Sequence, residues 1–375
     1  MLVTSIDGRP VKVEGNPLHP DSLGAASAVA QAEVLQLYDP DRSRRVLYRE
    51  GGQDYVKQWS DFEAAMAAGA ATGKPLAVLA SASSSSTRSR LRDQLLAERP
   101  DARWFEYEPC SRDNERAGTS MVYGRPLRPQ PKLEQAAVVA CFDADPLFDH
   151  PAALRLARDF AAARDPEHGA GARLYAAEGG FTLTGVRADH RLAVAPSQIP
   201  ALLAGVANRL VAEHGLELPA AAAGFAGASG GATAETNDFS ELLAEDLMAH
   251  RGSSLVLVGS RQAPSVHALA AVLNEALAGV GQTISYIEDP DPERPSHVEA
   301  IAELAAAVQA GEVGTLLILG GNPVFDAPSE LGFAELLAQV PVTAHLSLYD
   351  DETSRQCSWH LPAAHALEAW GDGLA

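Results

Sequence analysis

Four short apolar runs constrain the fold of this chain more tightly than any other feature of its sequence. They are Pro75-Leu76-Ala77-Val78-Leu79-Ala80-Ser81, Ala136-Ala137-Val138-Val139-Ala140-Cys141-Phe142, Ser254-Leu255-Val256-Leu257-Val258-Gly259 and Thr315-Leu316-Leu317-Ile318-Leu319-Gly320. Each is continuously apolar and closed by small or polar residues, the pattern of a strand covered on both faces of a parallel sheet. Weaker strands are expected at Arg103 to Tyr107 and Arg173 to Ala177. Helical patterns lie between them, over Thr87 to Glu98, Ala152 to Ala163, Gln198 to Glu213, Glu241 to Arg251, Val266 to Leu277 and His297 to Ala310. This alternation predicts an α/β fold of two doubly wound, mainly parallel-sheet units.

A composition shift suggests where the units divide. Residues 219–234 are mostly Ala, Gly, Ser and Thr with almost no charge, and read as a linker. It would separate an α/β domain over 46–218 from a second over 235–375, with 1–45 as an irregular N-terminal segment. No internal repeat of fixed period is visible.

Charge and cysteine content exclude several functions. With 29 Lys+Arg against 49 Asp+Glu, the formal net charge is -20, which repels a phosphate backbone, so no nucleic-acid partner is expected. Three cysteines, Cys110, Cys141 and Cys357, exclude a disulfide scaffold and any self-contained four-cysteine metal or cluster site. No apolar run approaches the roughly 20 residues of a membrane span. The start, Met1-Leu2-Val3-Thr4-Ser5, has no basic n-region and no leader-like stretch.

Ser81 to Ser86 falls between a strand and a helix. Its hydroxyls and the helix amides could cradle an anion, but without a Gly-Lys pair an N-cap and loop is the simpler reading. More specific are Gly8-Arg9-Pro10 through Gly15-Asn16-Pro17-Leu18-His19-Pro20, and Leu319-Gly320-Gly321-Asn322-Pro323 after a buried strand. Glycines there let backbone amides approach a phosphate or base, and an amide side chain can read a base edge. A plain strand-to-loop turn accounts for the second stretch equally well.

The pair resembles the molybdopterin oxidoreductase (dimethyl-sulfoxide-reductase-like) superfamily. The resemblance implies a guanine dinucleotide contact at Gly320, Gly321, Asn322 and Pro323, and an iron–sulfur cluster beside the first segment. The departures matter more. Relatives place a cluster cysteine after the glycine, whereas Gly24 is followed by Ala25, Ala26 and Ser27, and a hydroxyl is a poor ligand for iron. Relatives also bind molybdenum just after a Ser-Arg pair, whereas Ser111-Arg112 is followed by Asp113 and Asn114. Cys110, before that pair, reads as a small buried residue rather than a displaced ligand.

Further stretches narrow the resemblance. They are Cys141-Phe142-Asp143-Ala144-Asp145-Pro146-Leu147, Leu154 to Phe160, Phe181-Thr182-Leu183-Thr184-Gly185 with Ala188-Asp189-His190-Arg191, Gln262 to Leu269, and Ser358 to Asp372, which holds Trp370-Gly371-Asp372. Together they are similar to the molybdopterin-oxidoreductase-like half of the large iron–sulfur subunit of bacterial alternative complex III, a quinol-oxidising respiratory assembly. That resemblance implies a non-catalytic scaffold with no catalytic residue, no metal ligand and no cofactor of its own. Gly320 to Pro323 would be vestigial. Implied partners are a ferredoxin-like iron–sulfur domain, whose clusters lie C-terminal to this half, and other subunits of the complex. Implied location is the periplasmic face of the cytoplasmic membrane. The chain is expected to be a piece of a longer subunit. The alternatives are a fragment that still binds molybdopterin guanine dinucleotide, or a small-nucleotide-binding protein.

Other constellations have simpler explanations. Cys357, His360 and His365 with His345 could hold zinc, and Asp143, Asp145 and Asp149 could suggest calcium, although an EF-hand's Gly and Glu are missing. Asp189-His190-Arg191 resembles a charge relay without a nucleophile elbow. The acidic run Glu288 to Glu293 reads as a solvated loop.

Overall fold

All four apolar runs are strands in the interiors or switch regions of two separate sheets. A computed structural model describes residues 1–71, 75–167, 171–219, 222 and 233–373. The chain forms two units, one comprising Met1, Glu14–Ser27 and Arg112–Glu293, the other Leu2–Val13, Ala28–Ser111 and Arg294–Ala375.

In the second unit a seven-stranded sheet runs in the order Gln53–Lys57, Val46–Glu50, Trp359–Pro362, Val342–Ser347, Thr315–Leu319, Leu76–Ala80 and Arg103–Glu106. The last five are parallel, with Thr315 opposite Leu76 and Leu319 opposite Ala80. Ala77, Leu79, Leu316 and Ile318 pack on Ile301 and Leu304 of the helix His297–Gln309. That helix starts where Ser296 and Glu299 cap each other's backbone amides, a capping box.

In the first unit a four-stranded parallel sheet runs in the order His190–Ala193, Arg173–Glu178, Val138–Phe142 and Ser254–Val258. One face is covered by the helices Ile199–Ala212, Ala234–Ala249 and Pro264–Ala276, through Leu203, Leu243 and Leu269, each at most 1% exposed. Leu156 and Phe160 of the helix Ala153–Ala163 cover the other. Burying one such leucine contributes roughly 1.5–3 kcal/mol. Ser254–Val258 is an edge strand, and its outward main-chain groups are satisfied by side chains. Thr283 Oγ1 donates to Ser254 O at 2.7 Å, and the Asn274 amide bonds both N and O of Val256 at 2.8 and 2.9 Å.

The α/β class and parallel sheets agree with the sequence reading. Two expectations need correction. The units are discontinuous, where composition placed a contiguous division between 46–218 and 235–375. The reason is strand pairing: Leu76–Ala80 joins Thr315–Leu319, and Val138–Phe142 joins Ser254–Val258, across the 219–234 stretch. Most of that stretch lies outside the described residues. Nor is 1–45 irregular, since Leu2–Ile6 and Arg9–Glu14 form a hairpin and Ala28–Leu37 a helix. Asp7 and Gly8 turn the hairpin at φ 51° and 78°, the positive values a tight two-residue turn needs.

One buried histidine makes the first unit sensitive to acid. His267 backs against Gly118 of the helix Asp113–Tyr123, where an added Cβ would lie 2.5 Å from its own Cβ. Burial, aided by the Arg112 charge, lowers its pKa to about 4. Its stabilising effect is complete above the unfolded value of about 6.5 and is lost as pH falls toward 4, on the order of 3 kcal/mol. Urea midpoints measured across that window should fall with pH, and His267→Asn should flatten the slope by nearly one proton. Identical slopes in both proteins would contradict this assignment.

Candidate functional site

Doubly wound sheets bind ligands where the strand order reverses, beyond the carboxyl ends of the strands. In the seven-stranded sheet the chain proceeds from Leu76–Ala80 outward to Arg103–Glu106, and from Thr315–Leu319 the other way. The reversal therefore lies between Ala80 and Leu319. It brings together Ser81 and Gly320 to Pro323, two of the stretches singled out in the sequence. Ser81 N donates to Leu319 O at 3.3 Å and Gly320 N to Leu346 O at 3.0 Å. Gly320 and Gly321 have φ of 73° and 71°, and a Cβ on either would stand 3.4 Å from Ser81 Oγ. Only glycine is relaxed there.

The loop's polar groups are committed internally. Asn322 Nδ2 donates to Glu352 at 2.7 Å, and its Oδ1 accepts from Thr353 Oγ1 at 2.7 Å and Thr353 N at 3.1 Å. The amide expected to read a base edge instead ties the loop to the helix Glu352–Gln356. Pro323 is buried at the first turn of the short helix Pro323–Asp326. Behind the loop, two of the histidines weighed for zinc are joined instead by a hydrogen-bonded chain through Ser354 and Ser43, which the sequence did not announce. His345 Nε2 is 3.1 Å from Gly321 O, Ser354 Oγ lies 2.8 Å from Nδ1 of both His345 and His360, and His360 Nε2 is 2.6 Å from Ser43 Oγ. One hydroxyl proton serves one imidazole, so the other ring must donate to Ser354 Oγ. Burial lowers the pKa of His360.

The Ser81 to Ser86 stretch combines both expected roles. Ser85 caps the helix Ser86–Glu98 by accepting from Arg88 N at 3.1 Å. The same helix end also holds a carboxylate. Asp372 accepts from Ser85 Oγ, from Ser86 Oγ at 3.0 Å and from Thr87 N at 2.8 Å. These bonds hold its carboxyl well below the usual range, with the Ser85 hydroxyl contributing most. A cavity of about 670 Å³ adjoins, lined by Arg88, Leu91, Leu95, Trp104, Leu319 and Trp370. The Trp370-Gly371-Asp372 and Ser81 to Ser86 stretches were each visible in the sequence, but nothing in the sequence joined the two.

The four-stranded sheet reverses between Phe142 and Val258. Gly259 N donates to Phe142 O at 2.9 Å, and a Cβ at 259 would collide with Asp143 O. The Asp143 carboxylate receives Arg261 at 2.8 Å and Gln262 Nε2 at 2.9 Å. Asp145 accepts from Thr184 Oγ1 at 2.6 Å. Glu178, 3% exposed, accepts from Arg191 Nε and Thr182 Oγ1, both at 2.6 Å, and fills the space a side chain at Gly185 would need. Arg191 in turn stacks on Phe181 at 3.8 Å. Thr182, Gly185 and Arg191, with Phe181 on the Arg191 guanidinium, are thus gathered around the Glu178 carboxylate.

The remaining candidates disperse. His365 lies 3.3 Å from Glu33, Cys357 is buried with its thiol pushed up to about 12, and no group of three potential ligands is set to hold a metal among the described residues. Asp143 and Asp145 bond different partners. Asp189 pairs with Arg164 at 2.9 Å while His190 stacks on Tyr175 at 4.4 Å, so no relay forms. Cys110 is exposed, correcting the expectation of a buried residue, while Cys141 and Cys357 are buried. In the acidic run, Asp289 sits 3.6 Å from both Arg116 and Arg128 and Glu288 2.5 Å from Arg125, so it is paired rather than merely solvated.

These residues do not fit the groups the resemblance implies. A dinucleotide phosphate would meet Asp372 at one reversal and Asp143 at the other, and a base would find the Asn322 amide engaged. At the expected molybdenum position Asn114 Nδ2 bonds Ser260 O at 3.2 Å. Ser27 offers iron no thiolate.

No family model matches the chain. It is similar to the menaquinone reductase molybdopterin-binding-like subunit of Nitratidesulfovibrio vulgaris (strain Hildenborough), at 27% identity over 404 aligned positions, covering 99% of this chain and 57% of that protein. Among solved structures it resembles acetylene hydratase from Pelobacter acetylenicus, with a TM-score of 0.70, 12% identity, and 97% of this chain and 61% of that one covered. Its fold is of the molybdopterin oxidoreductase type. A second likeness, to the formyltransferase/hydrolase complex of Methylorubrum extorquens, has a TM-score of 0.50 at 15% identity, covering 88% of this chain and 92% of that one. Both structural likenesses are of fold. The chain spans little more than half the length of its curated relative.

Proposed function

We propose that this chain is a non-catalytic molybdopterin-oxidoreductase-like scaffold of a respiratory quinone or quinol oxidoreductase, supporting electron transfer that runs through partner subunits. The carrying observation is the likeness, over 99% of the chain, to a subunit itself named molybdopterin-binding-like in a menaquinone reductase. The committed Asn322 amide and the carboxylates at both strand-order reversals support a role without a pterin. In the finer reading the assembly is alternative complex III, the partners include a ferredoxin-like iron–sulfur domain, and the site of action is the periplasmic face of the membrane. These rest on the sequence resemblance. No helix among the described residues is long and apolar enough to cross a membrane.

Metal analysis and visible absorption of the purified protein test the proposal. The expected result is no stoichiometric molybdenum and no cluster charge-transfer band, with co-purification of an iron–sulfur subunit from the native host. Stoichiometric molybdenum would favour the guanine-dinucleotide-binding alternative, for which Gly320 and Gly321 at the reversal are the supporting observation.

A further inference from the structure

The short helix Leu183–Arg187 packs inside out. Its buried residues are Thr184 and Gly185, while Leu183 and Val186 face solvent. An amphipathic helix ordinarily buries its apolar side, so this one leaves an apolar face unpartnered. Leu183 and Val186, together with Phe148 and Phe181, are each between 55% and 78% exposed. We propose that the groove between this helix and the helix Ala153–Ala163 docks an amphipathic helix of a partner protein, whose apolar side chains fill it and whose carboxylate meets Arg187. The inference goes beyond the scaffold role, which names no surface.

The groove has a volume of about 530 Å³. Ala157 and Ala161, one turn apart on the longer helix, line it beside the buried Phe160, and Leu183 and Val186 line it from the short helix. Small residues along one helix and branched apolar residues on the other suit the apolar ridge of a third. The short helix is also fixed in advance. Thr184 N and Oγ1 both donate to Asp145 Oδ1, at 3.1 and 2.6 Å, and Thr182 Oγ1 caps the helix by accepting from Gly185 N at 2.9 Å. Docking on a preformed surface costs little ordering.

Charge selects the occupant. The charged residues lining the groove are Arg164 and Arg187, with no acidic residue among the described lining. Arg164 is answered by Asp189 at 2.9 Å, whereas Arg187 is exposed and has no ion pair among the described residues. In a chain of net charge -20, an unpaired arginine beside an apolar groove suits a carboxylate, which its planar fork can hold by two hydrogen bonds. A second copy would bring its own Arg187 and a further -20 into contact, which opposes self-association. For an anionic bilayer, one unpaired arginine gives too little attraction against that net charge.

Photocrosslinking of the full chain in its native host tests this, with Phe148→p-benzoylphenylalanine as the probe. Phe148 follows Leu147 of the groove lining and is exposed, so the exchange keeps an aromatic ring at the rim. The expected result is a covalent adduct with one protein. Mass spectrometry should place the attachment in a segment with apolar residues three and four apart and an Asp or Glu within one turn. Val186→Glu should cut the adduct about tenfold and Arg187→Glu about fivefold, with Arg187→Lys retaining most of it. Val186 and Arg187 are exposed, so these variants should melt as the wild type does. An adduct with lipid or with a second copy, no adduct, or a yield indifferent to Arg187→Glu would overturn the proposal. Stoichiometric molybdenum would sink the scaffold role and leave this result standing, while an intact assembly without the adduct would do the reverse.

Discussion

Replacing Asn274 by leucine should remove roughly 3–5 kcal/mol of stability, because two main-chain groups would be orphaned at about 1–3 kcal/mol each. Asn274 is 1% exposed on the helix Pro264–Ala276, and its amide bonds both N and O of Val256. Strand Ser254–Val258 has a neighbouring strand on one side alone, so no main-chain partner stands ready to replace the amide. Leucine keeps the branched heavy-atom skeleton and leaves no cavity, so the loss would come from the hydrogen bonds, with some crowding from its larger methyl groups. Urea unfolding gives the free energy, and hydrogen exchange at Val256 locates it. A loss below about 1 kcal/mol with Val256 still protected would mean that another donor and acceptor reach the strand edge.

Gly259→Ala should be nearly as damaging, at about 3 kcal/mol or more, because the added methyl would run into backbone. The obstacle is the Asp143 carbonyl, and Asp143 itself is held at φ 53° with its carboxylate anchored by Arg261 and Gln262. Neither strand end can yield without breaking those bonds. Gly371→Ala is the control, with no atom within 4 Å of the new methyl and an expected change within about 0.5 kcal/mol. Comparable melting of the two variants would refute the close approach at Gly259.

Much of the sheet architecture was legible because fully buried strands leave an unbroken apolar record. Leu76–Ala80, Val138–Phe142, Ser254–Val258 and Thr315–Leu319 all fall inside the expected runs. Exposed strands leave no such record. Gln53–Lys57 is exposed at every position, and its hairpin is announced only by Gly51-Gly52, both at positive φ. The division into units was not legible, since pairing across the chain leaves no compositional trace. At the candidate site, the sequence located Gly320 to Pro323 but could not show that Glu352 and Thr353 engage the Asn322 amide. The Asp372 contact was hidden for the same reason. Carboxylate partners drawn from distant segments have no spacing to betray them.

The discontinuous second unit has a consequence for synthesis. Leu76–Ala80 can pair with Arg103–Glu106 early, but its other neighbour, Thr315–Leu319, emerges only after the whole of Arg112–Glu293. At translation rates of about 5–20 residues per second, that delay is roughly 10–50 s. Throughout it, one flank of an apolar strand has unpaired main-chain groups, a template for misassociation. The intervening unit has all four strands of its parallel sheet within its own span and can be complete first. Newly made chains are therefore at greatest risk between those two events, when a nascent-chain chaperone would have most effect.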